Sequence, residues 1–508
     1  MNHQIIILTP TIINIYGEIF SVIGTIISTE DSPNTNRFKF VVKKEVKKNS
    51  YVKINNIIGF VDELESSNPY YQSADSVAYY EKEQPLSKIY PTEQSEFLVA
   101  SCQIFGELEG GRLQRISQPP KPGQNVELAD PKSISKVLGL KENGLWLGDL
   151  EAHDMEIEID SNKLLKKHLA ILAISGAGKS YFVSVILEEL MKKNLMLPIV
   201  LVDVHGEYVS LFEELPDGIQ KKINIISDVK IGFKNVGPST LVQWLPLSRT
   251  QTRDITTELY KIEKEVKGAY DIDDVIERVE KSDARTATKN SLTKWLSYLK
   301  HYGIFGKVDS ITVDELVRPN QLSIINLKEI DNNTIKQIIV SHFANLMFNK
   351  RKNNKIPPFV LIVEEAHNFA NQSSKDKNIS KHVLETIARE GRKFGASLTV
   401  ISQRPVQLDT TILSQCNTHA ILRVTNPNDI KHIQESSEGF TNQIAKDLPG
   451  LCVGEVFLTG EAVNKPLLFK VRRRKLRTVK EDKTMDEMLK EWGDGVEKEK
   501  TNKIEAFI

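Results

Sequence analysis

The chain has 508 residues, 40% of them hydrophobic and 26% charged, as is typical of a globular protein with two or three domains. Lys plus Arg and Asp plus Glu are equal at 67 each, so the net charge neither supports nor excludes nucleic acid, and any basic binding surface must be local. The three cysteines, Cys102, Cys416 and Cys452, form no CxxC pair, which argues against a zinc site and a disulfide scaffold.

The first segment, Met1–Ile27, is rich in isoleucine but is interrupted by polar residues and lacks a basic region, so we predict strands there and no signal peptide. Along the whole sequence, no uninterrupted apolar run approaches the ~18 residues that span a bilayer. We therefore expect a cytoplasmic protein that does not associate with a membrane.

Residues 1 to about 150 show a β-rich pattern. Short β-branched runs such as Phe38–Val42 and Tyr51–Ile54 are separated by clusters of Gly, Pro, Asn and Ser. The pattern predicts a small β-barrel or sandwich, with connecting strands, over residues 1–150.

From about residue 165 apolar runs alternate with helical stretches. The strand candidates are Leu169–Leu172, Ile199–Val202, Leu322–Ile325, Phe359–Val363, Leu398–Ile401 and Ala420–Val424. Near-continuous apolar strands separated by helices predict an α/β core with a parallel sheet that is covered on both faces. We place this core at residues 151–478.

Between about residues 245 and 311 the alternation stops, and apolar positions are spaced three and four apart around Trp295–Tyr302. We interpret this stretch as a helical insertion in the α/β core. Residues 479–508 are a charged C-terminal tail in which Met485–Trp492 is predicted to be helical.

The strongest local signal lies between the apolar run Leu169–Leu172 and a predicted helix, Tyr181–Leu190. Residues 173–180 read Ala-Ile-Ser-Gly-Ala-Gly-Lys-Ser, a Walker A loop with alanine in place of the first glycine. Glycines allow successive backbone N–H groups to face phosphates, and the helix N-terminus adds positive potential. The predicted nucleotide-binding residues are Ser175, Gly176, Ala177, Gly178, Lys179, Ser180 and Tyr181.

These residues predict ATP and Mg²⁺ as cofactors. Lys179 is expected to reach the β- and γ-phosphates, and the Ser180 hydroxyl is expected to ligate Mg²⁺. The alternative is a glycine-rich turn that resembles the motif by chance.

A pair of carboxylates, Glu364 and Glu365, ends the apolar run Pro358–Val363 in the manner of a Walker B strand. Ligands bind at the carboxyl ends of parallel strands, and successive strand residues face opposite ways. We predict that Glu364 holds the Mg²⁺ shell and that Glu365 polarises the attacking water. The alternative is a solvated pair that caps the next helix.

Four further segments, taken with these motifs, resemble the HerA branch of the HerA/FtsK ATPases. They read Asp-Val-His-Gly-Glu-Tyr at 203–208, Glu-Glu-Ala-His-Asn-Phe at 364–369, Ala-Arg-Glu-Gly-Arg-Lys-Phe-Gly at 388–395 and Ser-Gln-Arg-Pro at 402–405. Residues 31–38 resemble the β-barrel of that family more loosely. The resemblance covers roughly residues 15–60 and 165–475, and it implies an α/β RecA-like P-loop core with a helical insertion, preceded by a small N-terminal β-barrel.

The resemblance also implies roles for residues outside the two Walker motifs. Arg389 or Arg392 would be an arginine finger from a neighbouring subunit, because a fixed cation stabilises the charge that develops in phosphoryl transfer. A helix-surface salt bridge is the alternative for either arginine, and one sequence does not distinguish the two. Gln403 resembles a sensor that hydrogen-bonds the γ-phosphate or the water, with an ordinary strand-end turn as the alternative.

Members of the family form homo-hexameric rings around double-stranded DNA and work beside a separate protein. The resemblance therefore implies an ATPase that translocates DNA, with helicase-like activity. Its partner would be a NurA-type nuclease in DNA end processing, or a sirtuin-type or other effector in antiphage defence.

Two other functions stay open. In the first, ATP organises an assembly scaffold that activates a partner enzyme without productive translocation. In the second, the same core serves protein unfolding or secretion. The basic run at residues 472–475 is a further open point, because it would contact DNA or phosphates or form a solvated edge.

Overall fold

The computed structural model of the chain describes residues 22–71, 74–80, 95–212, 217–245, 249–265, 270–373 and 378–476, together with short pieces at 12–13, 19–20, 82, 85–89 and 247. The predicted C-terminal tail and its helix at Met485–Trp492 lie outside these residues, as does most of the predicted N-terminal strand region before residue 22.

The N-terminal part of the chain is built mainly from strands. They are β1 (Ile12–Ile13), β2 (Ile19–Phe20), β3 (Val22–Ile27), β4 (Arg37–Val42), β5 (Tyr51–Ile54), β6 (Ile57–Ser67), β7 (Phe97–Glu109), β8 (Arg112–Gln114) and β9 (Asn125–Leu128). Three short helices accompany them: α1 (Ala74–Tyr80), α2 (Leu86–Ile89) and α3 (Pro131–Leu138).

Seven of these strands form one antiparallel sheet in the order β4-β3-β9-β5-β6-β7-β8. An additional pairing joins β4, at one edge of the sheet, to β7, next to the strand at the other edge, so that the sheet closes on itself. The strands turn alternate side chains inward, so that Phe38, Phe40, Val52 and Val61 are fully buried in a small core of their own.

A second, larger sheet contains eleven strands. These are β10 (Leu145–Leu150), β11 (Met155–Ile159), β12 (Leu169–Leu172), β13 (Ile199–Asp203), β14 (Ile223–Ile226), β17 (Leu322–Asn326), β18 (Phe359–Val363), β19 (Ala396–Ser402), β20 (Thr418–Ile421), β21 (Glu455–Gly460) and β22 (Leu467–Val471). A separate parallel pair consists of β15 (Ile231–Gly232) and β16 (Phe305–Gly306).

Fourteen α-helices belong to this part of the described chain. They are α4 (Ser161–Leu165), α5 (Lys179–Lys192), α6 (Glu207–Leu211), α7 (Asp217–Gln220), α8 (Pro238–Trp244), α9 (Arg249–Glu265), α10 (Ile272–Lys281), α11 (Thr286–His301), α12 (Val313–Leu316), α13 (Asn333–Lys352), α14 (Lys381–Phe394), α15 (Thr410–Gln415), α16 (Pro427–Ser436) and α17 (Asn442–Asp447). Two large clusters of buried apolar side chains lie against the two faces of the large sheet.

The strand order of the large sheet is β11-β10-β22-β21-β20-β12-β19-β18-β13-β17-β14. The pairings from β20 through β12, β19, β18, β13 and β17 to β14 are parallel, as the buried apolar runs predicted. The pairings among β20, β21, β22, β10 and β11 are antiparallel, so the sheet is mixed and the predicted parallel strands form one part of it. The reason is that short connections such as the one from β21 to β22 can join only antiparallel neighbours.

The predicted strand positions agree closely with the structure in the centre of the sheet. Leu169–Leu172 and Phe359–Val363 are strands with the predicted bounds. The strand predicted at Ala420–Val424 instead lies at Thr418–Ile421, where Leu169 to Leu172 of β12 fix its register.

The stretch predicted to be helical contains α9, α10 and α11 in succession. Helix α10 begins with a capping box. The Asp271 side chain accepts the backbone N–H of Asp274, and the Asp274 side chain accepts the backbone N–H of Asp271. In α11, Leu292, Leu296 and Leu299 are buried, in keeping with the spacing of three and four that predicted a helix.

The two sheets contact each other through Tyr51 of β5. Its backbone N–H donates to His153 Nε2 at 2.7 Å, and its ring is buried in the same apolar cluster as one face of the large sheet. Of the helices in the described part of the chain, none has the length and apolar character needed to cross a membrane.

Candidate active site

The glycine-rich loop lies at the carboxyl end of β12 and leads directly into α5, which begins at Lys179. Gly176 and Gly178 have φ values of 74° and 94°, a left-handed conformation that side-chain-bearing residues rarely adopt. No side chain caps the first turn of α5, so its backbone N–H groups are not occupied by a capping group. An anion can therefore be held at this helix end by the N–H groups and the helix dipole.

The predicted nucleotide-binding residues occupy this loop and the first helical turn. Ser175 and Gly176 are exposed, whereas the Ala177 side chain is buried, and the Ala177 carbonyl accepts the Gly454 N–H at 3.2 Å. Tyr181 lies half-buried, and its hydroxyl accepts the Arg474 N–H at 2.8 Å.

Three of the predicted catalytic residues meet at one carboxylate. Lys179 Nζ lies 2.7 Å from Glu365 Oε1, and Gln403 Nε2 donates to the same oxygen at 2.6 Å. The Lys179 and Glu365 side chains are only 6% and 4% exposed, so solvent screens this ion pair weakly. Neighbouring parallel strands create the cluster, because the loop after β12, Glu365 after β18 and Gln403 after β19 all lie at the same sheet edge.

The environment of Glu365 keeps its carboxylate ionised. Burial acts to raise its pKa, but the Lys179 ammonium, helped by His367 and the Gln403 amide, outweighs burial and holds the pKa below its usual value. His367 Nδ1 lies 3.3 Å from Glu365 Oε2 and 3.1 Å from Ser402 Oγ. The site therefore holds an anionic acceptor, which is suited to orienting a water or taking a proton.

The adjacent Glu364 has a different environment. Its side chain is fully buried, and Oε2 accepts the Val204 N–H at 2.9 Å, while Oε1 has no hydrogen-bond partner within the described residues. Burial, reinforced by the Asp203 carboxylate, raises the pKa of Glu364 to about 8. The carboxyl groups of Glu364 and Asp203 thus face each other in a poorly solvated space. One proton or one cation there would remove their electrostatic repulsion.

Asp203 has a structural task that the sequence did not reveal. Its two carboxylate oxygens accept four backbone N–H groups, from Gly206, Glu207, Tyr208 and Val209, at 2.8–3.2 Å. These bonds hold the turn into α6 and place Glu207 where its Oε2 accepts the Ser180 hydroxyl at 2.5 Å. The Asp-x-x-Gly-Glu spacing after a strand was the available signal, since Asp commonly caps such turns.

These oxygens fit a hydrated Mg²⁺ bound to nucleotide phosphates. The Ser180 hydroxyl, the Glu207 carboxylate and the buried, unpartnered Oε1 of Glu364 are hard oxygen donors of the kind that Mg²⁺ prefers. Among the residues that the structure describes, no group of three or more His, Cys, Asp and Glu side chains could hold a metal ion by itself. Mg²⁺ typically binds through one or two carboxylates plus phosphates and waters, and it does not need such a group.

The two candidate arginine fingers do not reach this site within one chain. Arg389 and Arg392 both lie exposed on α14, and neither has an ion pair within the described ranges. The structure thus brings together Lys179, Ser180, Glu364, Glu365 and Gln403 but leaves both arginines on the surface.

Two of the four positions in the basic run, 472 and 474, are buried. At these positions the run forms neither a DNA-contacting surface nor a solvated edge. The Arg472 side chain is 1% exposed, and its guanidinium lies 2.7 Å from Glu188 and 2.6 Å from Glu189, both on α5. The Arg474 side chain is also 1% exposed, with its guanidinium over the Phe212 ring. These residues fasten the end of the described chain to the helix that follows the phosphate loop.

Comparisons with known proteins agree with this geometry. A family profile described as "Helicase HerA, central domain" matches residues 145–347. A probable helicase of Methanocaldococcus jannaschii is 30% identical over 499 residues, which cover 92% of this chain and 94% of the relative. A DNA double-strand break repair helicase HerA of Pyrococcus furiosus is 28% identical over 445 residues, covering 74% of this chain and 78% of the relative.

A solved structure shares the fold. VirB4 of Thermoanaerobacter pseudethanolicus superposes with a TM-score of 0.52 at 14% identity, covering 66% of this chain and 98% of VirB4. At this level of identity the likeness concerns the fold alone.

Proposed function

Because the chain belongs to the HerA helicase family, whose members are P-loop enzymes that hydrolyse ATP, we propose that it uses ATP to translocate double-stranded DNA through a homo-hexameric ring. The observation that carries the proposal is the buried cluster in which Lys179 and Gln403 both contact the Glu365 carboxylate. Relatives named as DNA double-strand break repair helicases support DNA as the substrate.

In the proposed mechanism the phosphate loop and Lys179 bind the triphosphate, and Lys179 exchanges its contact with Glu365 for the phosphates. Glu365 is thereby released to orient the attacking water and accept its proton, while Gln403 fixes the carboxylate. When bound, Mg²⁺ would neutralise charge on the phosphates, and Ser180 and Glu364 are the residues proposed to hold it.

The proposed site is completed by a neighbouring subunit. Arg389 or Arg392, exposed on α14, would supply the cation that stabilises the transition state in the next chain. Loss of this contact after hydrolysis would shift one subunit against the next. Movement along DNA then needs only phosphate contacts, so DNA binding should weaken as salt rises.

We also propose a division of the chain that suits this motor. Residues 1–150 would form a small β-barrel domain with connecting strands, of which β10 (Leu145–Leu150) pairs within the large sheet. Residues 151–478 would form the RecA-like core with a helical insertion at about 245–311, and residues 479–508 a charged brace. The ring of pairings from β4 to β7 supports the barrel. A NurA-type nuclease, or a sirtuin-type or other defence effector, is the proposed partner.

The proposal is tested by measuring ATP hydrolysis of the full chain with and without double-stranded DNA. We expect DNA to stimulate the wild type, and Lys179→Ala and Glu365→Ala to lose at least about 100-fold in rate. Lys141→Ala is a matched control, because Lys141 is a half-exposed lysine paired with Asp160 outside the site, and it should hydrolyse ATP normally.

Two results would count against the proposal. If the wild type hydrolyses ATP but ignores DNA, a scaffold activated by a protein partner explains the activity better. If Lys179→Ala is fully active, hydrolysis does not occur at the assigned site.

A further inference from the structure

A buried glutamine, Gln337 on α13, joins two segments that flank the active site. It is 6% exposed, and both ends of its side-chain amide are used. Its Nε2 donates to the Asn368 carbonyl at 2.8 Å, and its Oε1 accepts the Ile379 N–H at 2.8 Å. The first partner belongs to the turn that follows Glu365, and the second lies just before α14 begins.

Two further contacts hold the same segments together. The fully buried Ser380 donates its hydroxyl to the Phe369 carbonyl at 2.7 Å. Lys381 donates to the Asn371 carbonyl at 3.1 Å and pairs with Asp409 at 2.8 Å. The turn after Glu365 and the first residues of α14 are therefore tied at several points, and Gln337 and Asp409 each join them from a further element.

The turn that begins at Glu365 and helix α14 carry residues with different proposed roles in ATP hydrolysis. Glu365 begins the turn and has a left-handed backbone conformation, with φ of 47°. Such a conformation in a non-glycine residue persists only when the surrounding contacts fix it. At the other end of α14 are Arg389 and Arg392, and a helix that rises 1.5 Å per residue places Arg392 about 16 Å along the axis from Lys381.

We propose that Gln337 is a positioning residue for ATP hydrolysis, which makes the Glu365 turn and helix α14 move as one body. A displacement of Glu365 by the bound nucleotide would then move the arginines that serve the neighbouring site. The inference rests on the proposed function, in which Arg389 or Arg392 acts in the next subunit. It adds a named physical connection between one nucleotide site and the next.

The test uses Gln337→Met in the full chain, because methionine keeps the length of the side chain but cannot replace either hydrogen bond. We expect kcat for ATP hydrolysis to fall by about 10- to 100-fold, the scale of a small misplacement of catalytic groups. KM for ATP should change less than about threefold, because the phosphate loop is untouched.

Asn345→Met is the matched control. Asn345 lies on the same helix, and within the described residues its amide bonds to Ser341, one turn earlier. We expect this variant to keep the wild-type kcat. Melting temperatures of both variants are measured, so that a loss of kcat at an unchanged melting temperature is separated from unfolding.

A double-mutant cycle decides whether Gln337 acts through the arginines. The second variant replaces both Arg389 and Arg392 by lysine, which keeps the charge but loses the planar two-point contact. If Gln337 acts through α14, the combined variant should have the kcat of the weaker parent, since coupled residues are non-additive. If the losses in kcat multiply in the combined variant, the inference is overturned but the proposed function stands. The same holds if Gln337→Met keeps the wild-type kcat while the lysine variant is impaired. A lysine variant with wild-type kcat would instead overturn the proposed role of the arginines and, with it, this route of coupling.

Discussion

Glu364 and Glu365 are neighbours in the sequence, yet their surroundings shift their pKa values in opposite directions. Lys179 and Gln403 contact Glu365 and favour its charged form, whereas Glu364 shares a buried space with Asp203. Their alternation at the end of a strand predicted different facing directions and different tasks. The assignment of Mg²⁺ to Glu364 and of the water to Glu365 stays a prediction.

The shift of Glu364 predicts a pH dependence of stability in the protein without nucleotide or Mg²⁺. Its pKa is raised from 4.5 to about 8, so the folded state keeps a proton that the unfolded state releases. The stability that this proton contributes is therefore fully present below the unfolded pKa of Glu364 and is lost as pH rises through its folded pKa. We expect the melting temperature of the wild type to fall relative to that of Glu364→Gln from about pH 5 to about pH 8, because the variant lacks this proton.

Thermal unfolding in the presence of a chelator measures this effect. Glu390→Gln, at an exposed position of α14, is the control and should keep the wild-type curve. If Glu364→Gln and the wild type gave parallel curves of melting temperature against pH, Glu364 would not be the buried protonated group.

At the scale of elements, the phosphate-loop helix α5 is fastened to the segment after β22. Glu188 is fully buried and accepts from Arg472, from Lys192 and from the backbone N–H groups of Lys475 and Leu476. Burial acts to raise the pKa of Glu188, but Arg472 and Lys192 outweigh it and hold the pKa below its usual value. Helix α5, which follows the proposed phosphate-binding loop, is thus anchored by a segment near the end of the described chain.

Arg472→Met should therefore destabilise the fold by about 3–5 kcal/mol, because it leaves the buried Glu188 carboxylate without its main cation. Chemical denaturation of the full chain measures the loss. The neighbouring Arg473 is exposed, so Arg473→Met is a control that should change stability by less than about 0.5 kcal/mol. Equal losses in the two variants would mean that the buried pair is not what stabilises this region.

At the scale of the whole molecule, the nucleotide site in one chain contains a lysine and carboxylates but neither candidate arginine. Both arginines are exposed on α14, as expected for groups that act across an interface between subunits. This placement agrees with the proposed ring, in which each site is completed by its neighbour.

Mixing two inactive variants tests the proposed completion in trans. Lys179→Ala lacks the lysine that is proposed to bind the phosphates but keeps its arginines, whereas the double variant Arg389→Ala/Arg392→Ala has the reverse defect. We expect little ATP hydrolysis from either alone and a measurable recovery after the two are mixed and allowed to exchange subunits, since some interfaces then contain both sets of groups. A mixture of Lys179→Ala with Glu365→Ala is the control, because both variants are defective in the same half of the site and no recovery should follow. Absence of recovery in the first mixture, with exchange verified, would contradict the proposed role of the arginines.

The sequence by itself determined the elements of the central sheet and the phosphate loop, because these depend on neighbouring residues. A buried strand such as Leu169–Leu172 needs a continuous apolar run, and the loop after it needs glycines that adopt positive φ. The carboxylates after β18 were predictable for the same reason, since the end of a parallel strand is a defined position in the sheet.

Tertiary structure alone decided which residues, distant from each other in the sequence, contact each other around the central sheet and the phosphate loop. Arg472 and Glu188 are 284 residues apart, and Gln337 bonds to segments 31 and 42 residues away. Nothing in their local sequence distinguishes them from a surface arginine or a helical glutamine. Such contacts are selected by the way separate segments pack, because a buried polar group is stable only where the fold supplies its partner.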